Sequence, residues 1–231
     1  MTIPTNDSTD TSTDRGTDTS TDRGTDTSAV PPAERTGRIV LVRHGETEWS
    51  RSGQHTGSTD LPLTEVGEQQ AVLLGTVLDA GDFGLALSSP LVRARRTAEL
   101  AGFPEAVVEP DLIEWDYGAY EGRTTADISA ELGRQWDLWH EGVPSGTTPG
   151  ESAADVRERA NRVLDRARAA FPHGDVILFA HGHMLRAIAI AWVALPPSAG
   201  TIFALSTSTL SELGFEHGRP AIRVWNAPVE R

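Results

Sequence analysis

Residues Arg38–Thr47 read RIVLVRHGET, an apolar, strand-like run that stops against a cation, an imidazole and a glycine. A run rich in Val and Ile marks a buried strand. Its end is unusual for a plain turn, because Arg43 and His44 put two polar groups at the strand's tip and Gly45 clears the space beside them. A second stretch, DVILFA at Asp175–Ala180, ends in the same manner, in His181-Gly182-His183. If both strands are parallel and central, His44 and His181 emerge at one edge of one sheet, where ligands of such sheets bind.

Between and after these runs the pattern alternates. Further strands are expected at Gly84–Ser88, around Thr209–Phe215 and at Ala221–Trp225. A helix should start after Thr64 as N-cap and run to about Asp79, and another should have Ser89 as cap, Pro90 in its first turn and Gly102 as stop. A third, capped by Ser152, sets Val156, Ala160, Val163, Leu164, Ala167 and Phe171 on one face. A last, mostly buried helix covers His181–Leu195. Strands alternating with helices imply an α/β fold with a largely parallel, helix-covered sheet. The helix near Ser89 would bring Arg93 close to the two histidines, and arginine forks, imidazoles and helix N-termini together suit a phosphate. Arg96 reads as a surface cation of the same helix.

The chain has 231 residues, no cysteine and a formal net charge of −13. Disulfides and thiolate chemistry are excluded. No apolar run is long enough for a bilayer span and no apolar leader opens the chain, so a cytoplasmic protein without a membrane partner is expected. The acidic surface argues against nucleic acid, though local arginines can still hold a small anion. Residues 1–36 repeat TDTSTDRG and carry almost nothing apolar, so they are expected to be a disordered, low-complexity tail ahead of a single domain at 37–231.

Six blocks, in order, carry a resemblance: LVRHGETEW at Leu41–Trp49, TGSTDLPLTEVGEQQA at Thr56–Ala71, SSPLVRARRTA at Ser88–Ala98, LIEWDYGAYEG at Leu112–Gly122, PGES at Pro149–Ser152 and FAHGHMLRAI at Phe179–Ile188. Together they resemble the histidine phosphatase superfamily in its phosphoglycerate-mutase-like branch. The resemblance implies a three-layer α/β/α sandwich and phosphoryl transfer without metal or other cofactor. It implies His44 as the nucleophile that becomes phosphohistidine, with Arg43, Arg93 and His181 on the phosphoryl oxygens. It implies Glu114 as proton donor to the leaving oxygen and then base for water, and Ser50, Thr56, Gly57, Trp115 and Tyr117 along the substrate. Branch members are often dimers, so a homodimer is the expectation. The chemistry fits: a neutral imidazole is a competent nucleophile, neighbouring arginines keep it neutral, and an alkoxide leaving group needs a proton.

Mutases of this branch carry an arginine directly after the acidic residue and an arginine pair in the following insert. Here Trp115 follows Glu114, and the insert has His140-Glu141. Trp115, Tyr117, Tyr120, Trp136 and Trp139 replace cations with aromatic surface. The block EWDYGAYEGRTT resembles sugar-phosphate phosphatases of the sedoheptulose-bisphosphatase type and bacterial acid phosphatases. The expected function is therefore hydrolysis of small phosphate esters, sugar phosphates foremost. The alternatives are a phosphoglycerate mutase and a non-catalytic binding protein on the same scaffold. Trp136 and Trp139, three apart on an expected helix, also suit simple packing. Whether His183 and Glu151 meet substrate stays open, Glu151 reading as a cap or an arginine partner.

Overall fold

The computed structural model describes residues 37–144 and 147–229, so the expected tail at 1–36 lies outside the described residues. Its six strands are β1 (Ile39–Arg43), β2 (Phe83–Ser88), β3 (Val107–Val108), β4 (Asp175–Ala180), β5 (Thr209–Glu216) and β6 (Arg219–Pro228). Its α-helices are α1 (Glu48–Ser52), α2 (Glu65–Leu74), α3 (Val92–Leu100), α4 (Thr125–Leu132), α5 (Leu138–Glu141), α6 (Ala153–Ala170) and α7 (Gly182–Trp192). The strands form one sheet in the order β3-β2-β4-β1-β5-β6. Pairs β3–β2, β2–β4 and β4–β1 are parallel, whereas β5 runs antiparallel to both β1 and β6.

Each central strand is buried on both faces, as parallel strands under helices must be. Ile39, Leu41, Val176 and Leu178 join a core with Val163 and Leu164 of α6 and Leu185 and Ile188 of α7. Their alternates Val40, Val42, Ile177 and Phe179 meet Leu74 of α2 and Ala98 of α3 on the other side. The result is three layers with β1 and β4 in the middle. Their register pairs Ile39 with Val176 and, at the far end, Arg43 with Ala180. The β5–β6 hairpin closes through His217 and Gly218, both at positive φ (48° and 72°), as a two-residue turn between right-twisted strands demands.

Helix boundaries follow their caps. Thr64 caps α2 by accepting from Gly67 N–H, and Ser152 opens α6 in a reciprocal box with Asp155. The helix after β2 begins two residues later than Ser89 suggests. Leu91 is its N-cap residue, and Asp60 supplies the oxygen for the Val92 N–H at 2.8 Å. The Ser89 hydroxyl accepts from Leu91 N–H at 3.3 Å and also meets His181. Trp136 lies before α5 rather than on it, with its indole N–H on the Gly142 carbonyl. No helix among the described residues is long and apolar enough to cross a membrane.

Candidate active site

The sheet ladder runs one step past its strands. His44 N–H donates to the Ala180 carbonyl (3.0 Å) and Ser89 N–H to the Phe179 carbonyl (2.9 Å). His44, His181 and Ser89 are thereby set side by side, and the two imidazole rings stand 5.2 Å apart. Gly45 makes the turn after His44 feasible through space rather than through φ. A Cβ there would lie 2.3 Å from the Gly67 carbonyl oxygen, and one on Gly67 would lie 2.2 Å from that of Glu46. Two glycines thus let the turn lie backbone-to-backbone against the first turn of α2.

The His44 ring contacts its neighbour's carbonyl, Nδ1 to Gly45 O, at 2.8 Å. A carbonyl only accepts, so Nδ1 carries the proton and Nε2 holds the free lone pair. Burial above all, and then the charges of Arg43 and Arg93, hold this imidazole well below its ordinary pKa. It is a neutral base with its lone pair unspent. The same logic fixes His181: Arg93 Nε donates to its Nδ1 at 3.1 Å, so Nε2–H donates to the Ser89 hydroxyl at 2.7 Å. Burial, then Arg93, pushes that ring well below its usual range too.

Arg43 is enclosed, with one Nη on the Leu205 carbonyl and Nε without a partner among the described residues. A half-buried guanidinium whose Nε is shielded and idle beside a cleft is a ready anion site. Arg93 is fully buried and more committed. Its Nη1 donates to Thr59 O, and its Nη2 to Thr56 O and Gly57 O. Glu121 holds the same loop from the opposite side, through the Gly57 and Thr59 amides. Glu114 is buried, not a solvated loop acid. Its Oε1 accepts from Trp115 N–H and Met184 N–H, and its Oε2 from His183 N–H, at 2.9–3.0 Å. The positive end of α7 therefore holds this carboxylate.

The cleft in front of these groups measures about 170 Å³ and is lined by Arg43, His44 and Glu114 together with His55, His183 and Arg186. A roomier hollow of about 430 Å³ lies beside α3 and β3, but no histidine lines it. Two strand-end histidines, the arginines Arg43 and Arg93 and one carboxylate on this sheet order match one family pattern: the histidine phosphatase superfamily (branch 1) pattern fits residues 39–228. The chain belongs to the histidine phosphatase superfamily.

This histidine phosphatase is 41% identical over 186 residues to an acid phosphatase of Mycobacterium tuberculosis, spanning 80% of this chain and 89% of that protein. It is 36% identical to a sedoheptulose 1,7-bisphosphatase of Saccharomyces cerevisiae, over 69% of each chain. A solved structure of an open reading frame product from Mycobacterium tuberculosis superposes with a TM-score of 0.78 at 39% identity, covering 84% of this chain and 99% of that one.

Several expected substrate contacts in this histidine phosphatase fall elsewhere. Trp115 is wholly buried; its indole N–H reaches the Glu151 carbonyl and its ring packs edge-on to Trp139. Gly57 stands behind the cleft, between Arg93 and Glu121, where a side chain would strike the Trp115 carbonyl at 2.6 Å. Ser50 and Thr56 do line the cleft. The Ser50 hydroxyl, however, is occupied with the backbone of Thr47, capping α1. Tyr117 lines it as well, with its hydroxyl on His183 Nδ1 at 2.7 Å. Arg96 is on the surface with Glu68 and Glu99. Glu151 is an arginine partner: Arg159 of α6 grips both its oxygens at 2.7 Å. Arg159 also donates to the carbonyls of Asp111 and Ile113, which fastens the segment carrying Glu114.

Arg186 received no role from the sequence. It lies three residues beyond His183 on α7, the spacing that puts two side chains on one helix face. Its guanidinium stacks over Trp139 and is fixed by the Gly200 carbonyl.

Proposed function

We propose that this histidine phosphatase hydrolyses small phosphate monoesters, sugar phosphates foremost, through a phosphohistidine at His44. The observation that carries the reading is the His44 ring: Nδ1 is committed to Gly45 O, which leaves Nε2 unprotonated, and His44 lines a cleft with Arg43. In the first step Nε2 attacks phosphorus while the bond to the alcohol oxygen breaks. Arg43 takes a phosphoryl oxygen through its idle Nε–H, while Arg93, wholly buried and outside the cleft lining, adds positive charge and orients His181 through its Nε–H. Glu114 enters this step as the carboxylic acid, gives its proton to the departing oxygen and is left as the carboxylate. In the second step Glu114 takes a proton from water, the water oxygen attacks phosphorus, and inorganic phosphate leaves with His44 restored. The names of the acid phosphatase and sedoheptulose bisphosphatase relatives support the substrate class.

Mutase action is disfavoured because the positions expected to hold a carboxylate do not offer cations to it. Trp115 is core, Glu141 pairs with Arg134 and exposed His140 is beside Asp137. A non-catalytic role is disfavoured because the reagent set is complete. The deciding experiment incubates the protein with a sugar phosphate and with 3-phosphoglycerate, scoring released phosphate against isomerised ester, with chelator in parallel. Phosphate release that survives chelator, and is lost together with acid-labile protein labelling in His44→Ala, is expected. Isomerisation outrunning release would reverse the reading in favour of a mutase.

A further inference from the structure

Beyond the phosphoryl groups the cleft has a second wall, and it contains a hydrogen-bonded pair that the two-step chemistry leaves unused. The Tyr117 hydroxyl is 2.7 Å from His183 Nδ1 and has no other partner among the described residues. Tyr117 is only 2% exposed, so a hydroxyl proton without an acceptor there would be a buried, unsatisfied donor. The tyrosine therefore donates, and Nδ1 accepts. That leaves the His183 proton on Nε2, which has no protein partner among the described residues, on a residue that lines the cleft. Burial, then Arg186 and His55, holds His183 well below its ordinary pKa, and burial drives the Tyr117 phenol well above its own. Both rings are neutral. His183 is also walled by Trp115, Trp139 and His55, so its plane cannot easily turn.

We propose that His183 is the specificity-determining residue for the alcohol half of the substrate: it offers one uncharged Nε2–H donor, aligned by Tyr117, to a hydroxyl oxygen of a polyhydroxylated leaving group. Tyr117 is then a positioning residue acting through His183. This rests on the hydrolase reading above. A neutral donor discriminates by presence or absence of its partner: an ester whose alcohol lacks the hydroxyl leaves Nε2–H buried and unpaired, and loses the bond.

The test compares kcat/KM for glucose 6-phosphate with that for n-butyl phosphate, in wild type, His183→Leu, His183→Gln and Tyr117→Phe. His183→Leu should lower the sugar-to-alkyl preference about tenfold, the worth of one neutral hydrogen bond, whatever common factor the two esters share. His183→Gln, which keeps a donor, should recover most of the preference. Tyr117→Phe should lower it by about threefold. Ring-nitrogen NMR, assigned with His183→Gln, should show one Nε2–H tautomer at His183 in wild type and a mixture in Tyr117→Phe. An unchanged preference in His183→Leu, or an Nδ1–H tautomer in wild type, would overturn the inference while leaving the hydrolase reading intact. A wild-type protein that releases phosphate from neither ester would overturn both.

Discussion

Gly45→Ala isolates how far His44 depends on a backbone contact outside the cleft. The new methyl would lie 2.3 Å from the Gly67 oxygen, and ordinary contact begins near 3.4 Å, so turn and α2 must part by about 1 Å. Both neighbours are backbone, held by the Thr64 cap and by a Gly45 N–H bond to the Thr97 hydroxyl, so neither yields as a side chain would. Overpacking of this kind costs about 1–3 kcal/mol of stability. The turnover loss is larger, because Gly45 O orients the His44 ring proposed as nucleophile, and a displacement of about 1 Å at a reacting group is worth roughly 10²-fold. Steady-state kinetics on p-nitrophenyl phosphate and thermal melting measure both effects. Gly133→Ala is the control: Gly133 caps α4 at φ 66° in open space, so it should lose about 1 kcal/mol through backbone strain and keep its turnover. Wild-type turnover in Gly45→Ala, or the same kinetic loss in both variants, would refute the account of Gly45.

Glu114→Gln should lose on the order of 10²–10⁴-fold with a sugar phosphate. With p-nitrophenyl phosphate it should give a burst of nitrophenol followed by slow turnover, since that leaving group needs no proton and only the water step suffers. Equal losses without a burst would remove Glu114 from the acid role. Arg159→Met leaves Glu151 and several loop carbonyls without their donor, and should destabilise by about 3–5 kcal/mol in urea unfolding. A loss under about 1 kcal/mol would show that the segment holds itself. Stability should also fall with acid early. His55 is held at about 4 by burial against 6.5 when unfolded, so the unfolded chain binds the extra proton, and stability present above about pH 6.5 drains away toward pH 4, by up to about 3 kcal/mol from this residue. An unfolding midpoint that stays flat or rises between pH 6.5 and 4 would contradict that sign.

What the sequence made legible were features written in local chemistry. Two apolar runs ending in histidine, with caps at Thr64 and Ser152, are short-range signals, and they sufficed to place β1, β4, α6 and the start of α2, which ends at Leu74 rather than near Asp79. The start of α3 differs from its expected place because its capping oxygen comes from Asp60, 32 positions away, which no local pattern registers. The resemblance placed Trp115 and Gly57 along the substrate, but the Trp115 ring packs on Trp139 and Gly57 is wedged between Arg93 and Glu121. These contacts join residues far apart in the chain, which no local motif registers. The commitment of Arg93 to three loop carbonyls is likewise a tertiary fact. Arg186 and His183 show the reverse case: their spacing on α7 was readable, but nothing local said which face of the helix met the cleft.

The pairing of Arg43 with Ala180 in the sheet acts as a gauge for the site. Because alternate residues of β1 serve opposite cores, the strand cannot slip by one place against β4 without exchanging both cores at once. The gap between the two imidazoles is therefore machined by hydrocarbon packing some residues away from any polar group. Loops at the rim can lengthen, shorten or change chemistry and leave that gap untouched, whereas a single-residue insertion inside Ile39–Arg43 would spoil it even with every reactive side chain present. A scaffold of this kind separates tolerance from precision: the chemistry at the mouth can vary while the end that holds the two histidines keeps its dimensions.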